Sequence, residues 1–523
     1  MAAFSSLTRS LLALSLTGLA LALPAPESLP EADRPRLSEF SSRQQDWRNG
    51  AVVYQVFLDR FAPSSRLSEK KSLYSAPRRL RDWSEQPKAG SYLEQAGCWS
   101  HEVDYWGGDL ASLQGKLDYL QGLGVEVVYL NPIFESLTNH KYDAWDYHKV
   151  DPVYGDRAEL KQLADRLHER GMKLMLDGVF NHMGRRSPLL GSHPEFFQWK
   201  DGQPVCWMDV ANLPELRLEN PAVRDFLYGT PDSVVQSYLR QEGIDGWRLD
   251  VAFDLGFEYL GQLTRAAHEA RPGSAVIGEI WNYPQDWHPA VDGVMNMHGR
   301  ALILKLIQGK LSGPQAASMW ESLVEDSGYA HLLKTWLVLD NHDTPRLNHL
   351  LTQPWQVEMA RVLQFSLPGS VLLYYGSEVD MAGGDDPQNR APMDWKRVQA
   401  NPPLLQFHRK LLKLRHSEPA LRWGDYRKLH TRELLAFVRK TLSPRETIVV
   451  VCNPTDHPVE EFLQLRDGKL QDVTLMVDLL GSTEKPMVLA GCIEVKLAPH
   501  QVMWLKPQIQ PYPKGYDRYD RMP

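Results

Sequence analysis

The sequence predicts an α/β fold, a (β/α)8 TIM barrel with a short insertion after its third strand, followed by a separate all-β domain. Short apolar segments alternate with helical segments between residues 51 and 420 of the 523-residue chain, a pattern typical of parallel strands joined by helices. Polar and charged residues follow directly after several apolar segments, where barrels of this kind carry their active sites. After residue 420 the pattern changes to short strands separated by turn residues, which indicates a second domain.

Residues 1–22 have the pattern of a secretory signal peptide. Arg9 precedes an apolar run over residues 11–23, and the small residues up to Ala22 form a cleavage signal. The run is too short for a comfortable membrane span, although an uncleaved anchor remains the alternative. We therefore expect an exported protein, periplasmic or extracellular, with no membrane association beyond export. Residues 23–50 are expected to form a loosely held arm.

The predicted barrel strands are short runs rich in β-branched and other apolar residues. They cover residues 51–57, 125–130, 173–176, 243–250, 275–278, 293–297, 336–339 and 371–375. Helices are expected at 107–121, 157–170, 221–241 and 257–270, and a long irregular loop at 64–105. The short inserted domain (domain B) is expected at 183–218, a C-terminal β-sandwich at 421–506 and an extended tail at 507–523.

Composition and cysteine content narrow the classes of function. The hydrophobic share of 43% and charged share of 24% are ordinary for a soluble globular protein, and a net charge of −7 does not suggest a nucleic-acid partner. The 16 Trp residues fit either large cores or platforms for sugar rings. The four cysteines, at positions 98, 206, 452 and 492, form no CxxC motif, so a zinc site has little support. Pairing of Cys452 with Cys492 and four free thiols both remain open.

The predicted fourth strand ends in Arg248 and Asp250, which are two residues apart and so point to the same side of a strand. An Arg beside an Asp favours the ionised carboxylate and lowers its pKa, as a carboxylate nucleophile requires, although a structural ion pair is equally compatible. Asp177, Glu279 and Asp343 follow other predicted strands. Paired carboxyl groups in different environments are the groups used in glycoside hydrolysis, which needs no metal.

Four segments jointly resemble the signature segments of the α-amylase family, in the same order and at the same strand ends. They are DGVFNH at 177–182, GWRLD at 246–250, GEIW at 278–281 and NHD at 341–343. The resemblance covers nearly all of the chain after residue 51. It implies a retaining α-glucan hydrolase that cleaves α-1,4-glucosidic bonds in maltodextrins, starch or related oligosaccharides through a covalent glycosyl-enzyme.

The resemblance implies a role for individual residues. Asp250 would be the nucleophile, Glu279 the general acid/base, and Asp343 would bind and distort the sugar in the −1 subsite. The two working carboxyl groups would lie about 5–5.5 Å apart. Arg248 would keep Asp250 ionised and oriented. Further substrate contacts are implied for Tyr142, His182, His342, Asp386 and Arg390, and structural support of the site for Asp177 and Asn181.

Within the family, residues 139–143, 213–216 and 384–390 resemble the neopullulanase, cyclomaltodextrinase and maltogenic amylase branch. A salt-bridged loop is an equal alternative for Asp386 and Arg390, as is a core position for Trp207, which could instead be a sugar platform. The N-terminal β domain usual in that branch is not expected, because the first barrel strand starts by residue 51.

The expected hydrolysis requires no cofactor. Residues 62–66 lack the oxygen-rich calcium loop of many relatives, so calcium stays an open alternative that the sequence does not support. Asn181 does match a calcium ligand of other α-amylases. A transglycosylase using the same site and, less favoured, a non-catalytic carbohydrate-binding barrel are the alternative functions. The sequence does not indicate an oligomeric state.

Overall fold

The computed structural model describes residue 31, residues 33–509 and residue 519. The predicted signal peptide at 1–22 and most of the predicted tail at 507–523 lie outside the described residues. Over the part of the chain that is described, no helix is both long enough and apolar enough to cross a membrane.

Eight parallel strands form a closed barrel, so the predicted fold class is confirmed. In chain order the barrel strands are β1 (Val52–Val56), β2 (Val127–Leu130), β3 (Lys173–Gly178), β4 (Gly246–Leu249), β5 (Ala275–Ile280), β6 (Gly293–Asn296), β7 (Trp336–Val338) and β8 (Ser370–Tyr374). Each strand pairs with its neighbours in sequence, and β1 also pairs with β8, with Val52 opposite Val371. The carboxyl ends of all eight strands therefore open on one face of the barrel.

Helices cover the outside of the barrel and its connections. The α-helices are α1 (Leu37–Gln45), α2 (Leu58–Phe61), α3 (Leu67–Lys70), α4 (Leu110–Gln114), α5 (Leu117–Leu123), α6 (Arg157–His168), α7 (Leu189–Ser192), α8 (Pro221–Arg224), α9 (Val234–Ser237), α10 (Ala252–Ala270), α11 (Met297–Ile307), α12 (Gly313–Ser327), α13 (Tyr329–Leu332), α14 (Leu347–Leu350), α15 (Pro354–Ser366), α16 (Trp395–Ala400), α17 (Pro403–Ser417) and α18 (Pro419–Trp423). Single 3-10 turns lie at Arg34–Arg36, Lys71–Tyr74, Ser100–Val103, Pro194–Phe196, Trp207–Asp209, Ser377–Val379, Gln388–Arg390 and Pro444–Glu446.

Alternation along the strands divides the barrel core in two. On β1, Val53 belongs to a cluster inside the barrel, whereas Val52 and Tyr54 belong to the larger cluster between the strands and the helices. Because successive side chains of a strand point to opposite faces, both faces of each strand are apolar and buried. The interior cluster includes Tyr129 and Met175, which fill the barrel beneath the polar groups at its open face.

The C-terminal region is an all-β domain, as expected from the change in pattern after residue 420. Its strands are β9 (Asp425–Lys428), β10 (Leu435–Lys440), β11 (Thr447–Cys452), β12 (Val459–Gln464), β13 (Met476–Asp478), β14 (Cys492–Leu497) and β15 (Val502–Pro507). An antiparallel sheet in the order β9-β10-β11-β15-β13 and the pair β12-β14 enclose a separate apolar cluster. Arg439 of β10 is fully buried and donates to the carbonyl oxygen of Ser366, at the end of α15 of the barrel, at 2.6 Å.

The expectation of a loosely held arm is wrong for residues 33–50. Helix α1 buries Phe40 completely, in a small cluster with Leu442 of the C-terminal domain. Arg43 donates to the Asp425 carboxylate at 2.8 Å and to the carbonyl oxygen of Trp423 at 3.2 Å. These partners lie about 400 residues away in sequence, and the polar composition of the segment gives no sign of them.

The single helix predicted at 221–241 is also wrong. The chain forms α8, a π-helical turn at Asp225–Gly229, a bend, α9 and a second π-helical turn at Tyr238–Glu242. Pro231 explains the interruption, because proline disfavours helical geometry at the preceding residue. Thr230 accordingly has extended geometry, with φ −122° and ψ 159°.

The segment at 64–105 contains more structure than the expected irregular loop. It holds α3 and a short antiparallel pair between Tyr92–Leu93 and Cys98–Trp99, and Arg79–Leu80 pairs in parallel with Asp104–Tyr105. Strands of two residues are too short to show the apolar alternation that identifies longer strands in a sequence. All four cysteines are free, so Cys452 and Cys492 do not form the disulfide that the sequence left open.

Candidate active site

Four carboxylates from four strands meet at the open face of the barrel. Asp177 is the penultimate residue of β3, Asp250 directly follows β4, Glu279 lies near the end of β5, and Asp343 is in the loop after β7. All four are spread over the chain, and only closure of the barrel brings them together.

Arg248 is the centre of this cluster and is fully buried. Its position on β4 is directly opposite Asp177 on β3. The Nη1 atom donates to Asp177 Oδ1 at 2.7 Å and to Asp250 Oδ1 at 2.9 Å, and Nη2 lies 2.8 Å from Glu279 Oε2. One planar guanidinium therefore fixes three carboxylates relative to one another.

Burial dominates the electrostatics of the cluster. It raises the pKa of Asp250 well above its usual range; the Arg248 guanidinium opposes this rise, and the Glu279 and Asp177 carboxylates add to it. Burial, reinforced by the Glu279 carboxylate, also raises the pKa of Asp343 to about 7. The expectation that Arg248 would give Asp250 a lowered pKa is therefore wrong in its direction. The single Arg248 cation does not compensate the neighbouring buried carboxylates, so the pKa of Asp250 stays raised.

Both carboxylate oxygens of Glu279 accept a hydrogen bond. Its Oε1 accepts a hydrogen bond from the indole Nε1–H of Trp281 at 2.9 Å, and its Oε2 accepts one from the backbone N–H of Val251 at 3.1 Å. Trp281 is 48% exposed and extends over the cavity. Trp281 belongs to the GEIW segment, for which the sequence implied a role only for Glu279. Its position two residues after Glu279 was the available signal, because such residues share one side of an extended chain.

Tyr142, His342 and Asp177 form a connected polar wall. Gln55 donates to Nδ1 of His342 at 2.9 Å, so the ring proton lies on Nε2, which faces the hydroxyl of Tyr142. Tyr142 in turn donates to Asp177 Oδ2 at 3.1 Å, and its ring stacks parallel to the His342 ring at 5.4 Å. Burial lowers the pKa of His342 well below its usual range, so this histidine is neutral.

Two residues of this wall were not predicted. Gln55 lies on β1, and Tyr129 on β2 donates its hydroxyl to Asp177 Oδ2 at 2.5 Å. Both occupy strand positions that are fully buried. In the sequence they cannot be distinguished from ordinary core residues of a strand.

His182 has an unpartnered ring nitrogen in the cavity wall. The residue is 1% exposed, and its Nε2 has no hydrogen-bond partner among the residues that the structure describes. Burial lowers its pKa to about 4, so the ring is neutral and can bond a hydroxyl group. The ring of Trp207 stacks on it at 5.6 Å, which places Trp207 at the cavity instead of in a core. Asn181 lies next to His182, with its Nδ2 3.5 Å from the His182 Nδ1.

Asp386 and Arg390 form the opposite wall. Arg390 lies 3.1 Å from Asp386 Oδ2 and 3.4 Å from Asp343 Oδ1, and its Nε donates to the carbonyl oxygen of His342 at 2.9 Å. The salt bridge that the sequence offered as an alternative is therefore present, and it also borders the cavity.

The carboxylate cluster opens into a cavity of about 510 Å³. The cavity is lined by Glu102, His140, Tyr142, His182, Trp207, Met208, Val210, Leu213, Asp250, Val251, Phe253, Glu279, Trp281, Asp343, Asp386 and Arg390. Val251 and Trp281 contact Glu279, whereas the charged side chains of Asp386 and Arg390 lie near Asp343. Such a surface suits a sugar chain, whose rings have apolar faces and hydroxylated rims.

The Asp109 carboxylate contacts Ser64, within the 62–66 stretch considered for calcium, and the residues around it do not fit a divalent cation. The Nζ atom of Lys70 lies 2.7 Å from Asp109 Oδ2 and donates to the carbonyl oxygen of Val153 at 3.1 Å. Ser64 donates to the same carboxylate at 2.6 Å, and the Arg66 guanidinium lies 3.5 Å from it. The side chains of Lys70 and Arg66 thus supply the positive charge at this position. Within the described residues, no group of three or more His, Cys, Asp or Glu side chains could hold a metal ion.

Comparison with known proteins gives matches over most of the chain. The alpha amylase catalytic-domain family matches residues 55–210 and 197–404. A cyclomaltodextrinase from Bacillus sp is 31% identical over 436 residues, covering 78% of this chain and 73% of that protein. The intracellular maltogenic amylase of Bacillus subtilis strain 168 is 31% identical, covering 72% of this chain and 63% of that protein. The structure of the cyclic alpha-maltosyl-(1→6)-maltose hydrolase from Arthrobacter globiformis superimposes with a TM-score of 0.72 at 26% identity, covering 88% of this chain and 99% of that one.

Proposed function

The chain belongs to the alpha-amylase family and is a glycoside hydrolase acting on α-glucosidic bonds, and from this we propose that it cleaves α-1,4 bonds in maltodextrins or related α-glucans with retention of configuration. The observation that carries the proposal is the shared guanidinium of Arg248. Nη1 lies 2.9 Å from Asp250 Oδ1 and Nη2 lies 2.8 Å from Glu279 Oε2, so a single guanidinium group links the two carboxyl groups. Retaining enzymes use a short separation of about 5–5.5 Å, whereas inverting enzymes need room for a water molecule.

In the first step, the ionised carboxylate of Asp250 attacks the anomeric carbon while the proton of Glu279 passes to the glycosidic oxygen, and the bond to the leaving sugar breaks. In the second step, Glu279 takes a proton from water, which attacks the anomeric carbon and releases Asp250. Arg248 lowers the cost of the negative charge on Asp250, against the effect of burial. We assign Asp343, His182 and His342 to the hydroxyl groups of the sugar that becomes attached to Asp250.

The roles of the two carboxyl groups can be separated by the choice of substrate. We expect Glu279→Gln to lower kcat on maltoheptaose by roughly 10²–10⁴-fold, because the leaving oxygen loses its proton donor. On α-maltosyl fluoride, whose fluoride leaves without protonation, the loss should be much smaller. Asp250→Asn should abolish turnover of both substrates. A Glu279→Gln variant that loses the same factor on both substrates would assign Glu279 another role.

A product time course tests the reaction itself. Maltoheptaose, β-cyclodextrin and pullulan are offered separately, products are resolved by size, and the anomeric form of the first product is read by NMR. Shorter maltodextrins released first as the α-anomer support the proposal. A first product with the β-anomeric form rejects retention, and no cleavage of any substrate rejects the proposed activity.

Transglycosylation by the same site is the second candidate, and the apolar side of the cavity favours it. Trp281 and Phe253 are 48% and 39% exposed and line the cavity, and Trp281 contacts Glu279, where the acceptor must approach. Such a surface binds a sugar ring more readily than water. Products longer than the maltoheptaose supplied would support transfer, and Trp281→Ala should lower their share, whereas Trp281→Phe should preserve it.

We further propose that the protein is exported and needs no metal. Export is supported by the sequence pattern of residues 1–22 alone, and a relative is named as intracellular. Expression of the full chain followed by N-terminal sequencing tests it, with a new N-terminus near residue 23 expected in the exported fraction. The independence from metal is supported by the Lys70 ammonium at Asp109. Treatment with EDTA should therefore leave kcat and the melting temperature unchanged.

A further inference from the structure

A short hairpin beside the cavity presents two aromatic side chains to solvent. Tyr92 and Trp99 are directly opposite each other in the antiparallel pair between Tyr92–Leu93 and Cys98–Trp99. They are 40% and 48% exposed, and their rings meet edge to face at 5.6 Å. We call this pair of rings the Tyr92–Trp99 platform.

The fold of the hairpin does not require the exposed rings. Leu93 and Cys98 lie on the other face of the same pair and pack in an apolar cluster with Val103 and Leu137. Cys98 is 3% exposed and Val103 is fully buried. Side chains of one strand alternate between faces, so the hairpin is anchored by one face and displays the platform on the other.

A chain of contacts connects the platform to the active site. The Trp99 ring stacks on the His101 ring at 6.3 Å, and His101 Nε2 lies 4.0 Å from Asp386 Oδ2. The backbone N–H of Gly90 donates to His101 Nδ1 at 3.1 Å, so the ring proton lies on Nε2, facing Asp386. Asp386 pairs with Arg390, which reaches Asp343. Glu102, in the turn directly after Trp99, itself lines the cavity.

The position of the platform identifies the end of the substrate that it meets. The leaving sugar lies against Glu279, which donates the proton, and the apolar side around Trp281 borders that half of the cavity. The platform instead adjoins the half formed by Asp386, Arg390 and Asp343. It therefore lies beyond the sugars on the donor side of the cleaved bond.

We propose that the Tyr92–Trp99 platform is a donor-side binding site for α-glucan chains several glucose units long. Glucose rings are apolar on their faces, and an exposed aromatic pair next to a polar cavity binds them by stacking while their rims bond to His101 and Asp386. The proposal rests on the proposed function and adds to it a determinant of chain length. Chains too short to pass Asp386 do not reach the platform.

The test compares a long and a short substrate. The measured quantity is kcat/KM for maltoheptaose divided by kcat/KM for maltotriose. We expect Trp99→Ala to lower this ratio by a factor on the order of five, mainly by raising KM for maltoheptaose. Trp99→Phe keeps an aromatic face and should restore most of the ratio. Phe462→Ala removes an aromatic ring that is 68% exposed on the C-terminal domain and should leave the ratio unchanged.

An unchanged ratio in Trp99→Ala, with an unchanged melting temperature, overturns the proposal. Binding gives a second measurement that does not depend on turnover. In an Asp250→Asn background, calorimetry should show weaker binding of maltoheptaose when Trp99 is also Ala, and equal affinities overturn the platform. If the wild-type chain cleaves neither substrate, the proposed hydrolysis fails, while the calorimetric comparison still decides whether the platform binds glucan.

Discussion

Arg248 is a single cation shared among three buried carboxylates, so the cluster carries an excess of negative charge when the carboxylates are ionised. The guanidinium contacts Asp177, Asp250 and Glu279, and Asp343 lies close enough to add a further negative charge. Removing charge from such a cluster relieves repulsion that the fold must otherwise overcome. The carboxylates of this cluster therefore reduce the stability of the molecule at the pH where they are ionised.

Asp343→Asn is expected to stabilise the protein at about pH 8 and to leave its stability unchanged at about pH 3. The folded-state pKa of Asp343 is raised from 3.8 to about 7, so stability falls as the pH rises through this interval and stays low above it. The amide removes this loss. Because water reaches 30% of the Asp343 side chain, we expect a gain of about 1–2 kcal/mol in the free energy of unfolding, measured in urea at both pH values.

Asp118→Asn is the matched control, because that side chain is 93% exposed and its replacement should change the free energy of unfolding little at either pH. An Asp343→Asn variant that is no more stable than the wild type at about pH 8 would contradict the argument.

For single residues, the sequence indicated which side chains belong to the candidate site, but it did not indicate how deeply they are buried or which charges surround them. It singled out Asp250 and Glu279 because a family motif surrounds them, but it implied a lowered pKa for Asp250 from the neighbouring Arg248 alone. Burial and the carboxylates of other strands reverse that direction, and neither is readable from local spacing. Tyr129 was missed for the same reason, since its bond to Asp177 joins two strands.

Helix α1 shows how an element outside the barrel stabilises the molecule. Its apolar contact is the burial of Phe40 against Leu442, and its polar contact runs from Arg43 to Asp425. Arg36, in the 3-10 turn before the helix, contacts the same carboxylate. The helix packs on the C-terminal domain and on the end of the barrel at Trp423. The segment at 33–50 therefore contributes to stability although its sequence has the composition of a loose arm.

Phe40→Ala should lower the free energy of unfolding by about 3–5 kcal/mol, because the ring is fully buried and its loss leaves a cavity. Urea unfolding of the wild type and the variant measures this difference. Phe462→Ala removes the same ring from a site that is 68% exposed and should change stability by no more than about 0.5 kcal/mol. Equal effects of the two substitutions would mean that α1 does not pack as described.

The buried guanidinium of Arg439 joins the two domains, and within the described residues it has no carboxylate in salt-bridge contact. Arg439 of the C-terminal sheet donates to the carbonyl oxygens of Ser366 and Gly424 at 2.6 and 3.0 Å. Ser366 ends α15, so the guanidinium lies at the negative end of a helix dipole as well as at unpaired carbonyl groups. This contact predicts that the barrel and the C-terminal domain unfold together.

Arg439→Met should separate the two domains in calorimetry. The wild type is expected to show one unfolding transition, and the variant an earlier transition of the C-terminal domain, because two carbonyl groups lose a charged donor and about 2–4 kcal/mol of coupling. Arg466→Met changes an exposed arginine of the same domain and should leave the single transition unchanged. A single transition at the wild-type temperature in Arg439→Met would contradict the coupling.

Much of the whole-molecule architecture was predictable, because the alternation of apolar and helical segments repeats along the chain. Strands such as β4 and β5 end in recognisable patterns, and the barrel fold follows from the number and order of such strands. The broken helix around Pro231 and the short pairs of the 64–105 segment were not predicted. Their form depends on single residues and on tertiary contacts, which a repeating pattern does not record.

The pairing of β1 with β8 also fixes when the catalytic centre can form. Val52 pairs with Val371, and Gln55 of β1 orients His342, which follows β7. A nascent chain that has not yet emerged beyond β8 therefore cannot close the barrel, and its carboxylates remain apart. Closure across more than 300 residues also carries a large cost in loop entropy and makes this a late event in folding. Hydrolytic activity is thus a property that the chain acquires only at the end of its synthesis and folding.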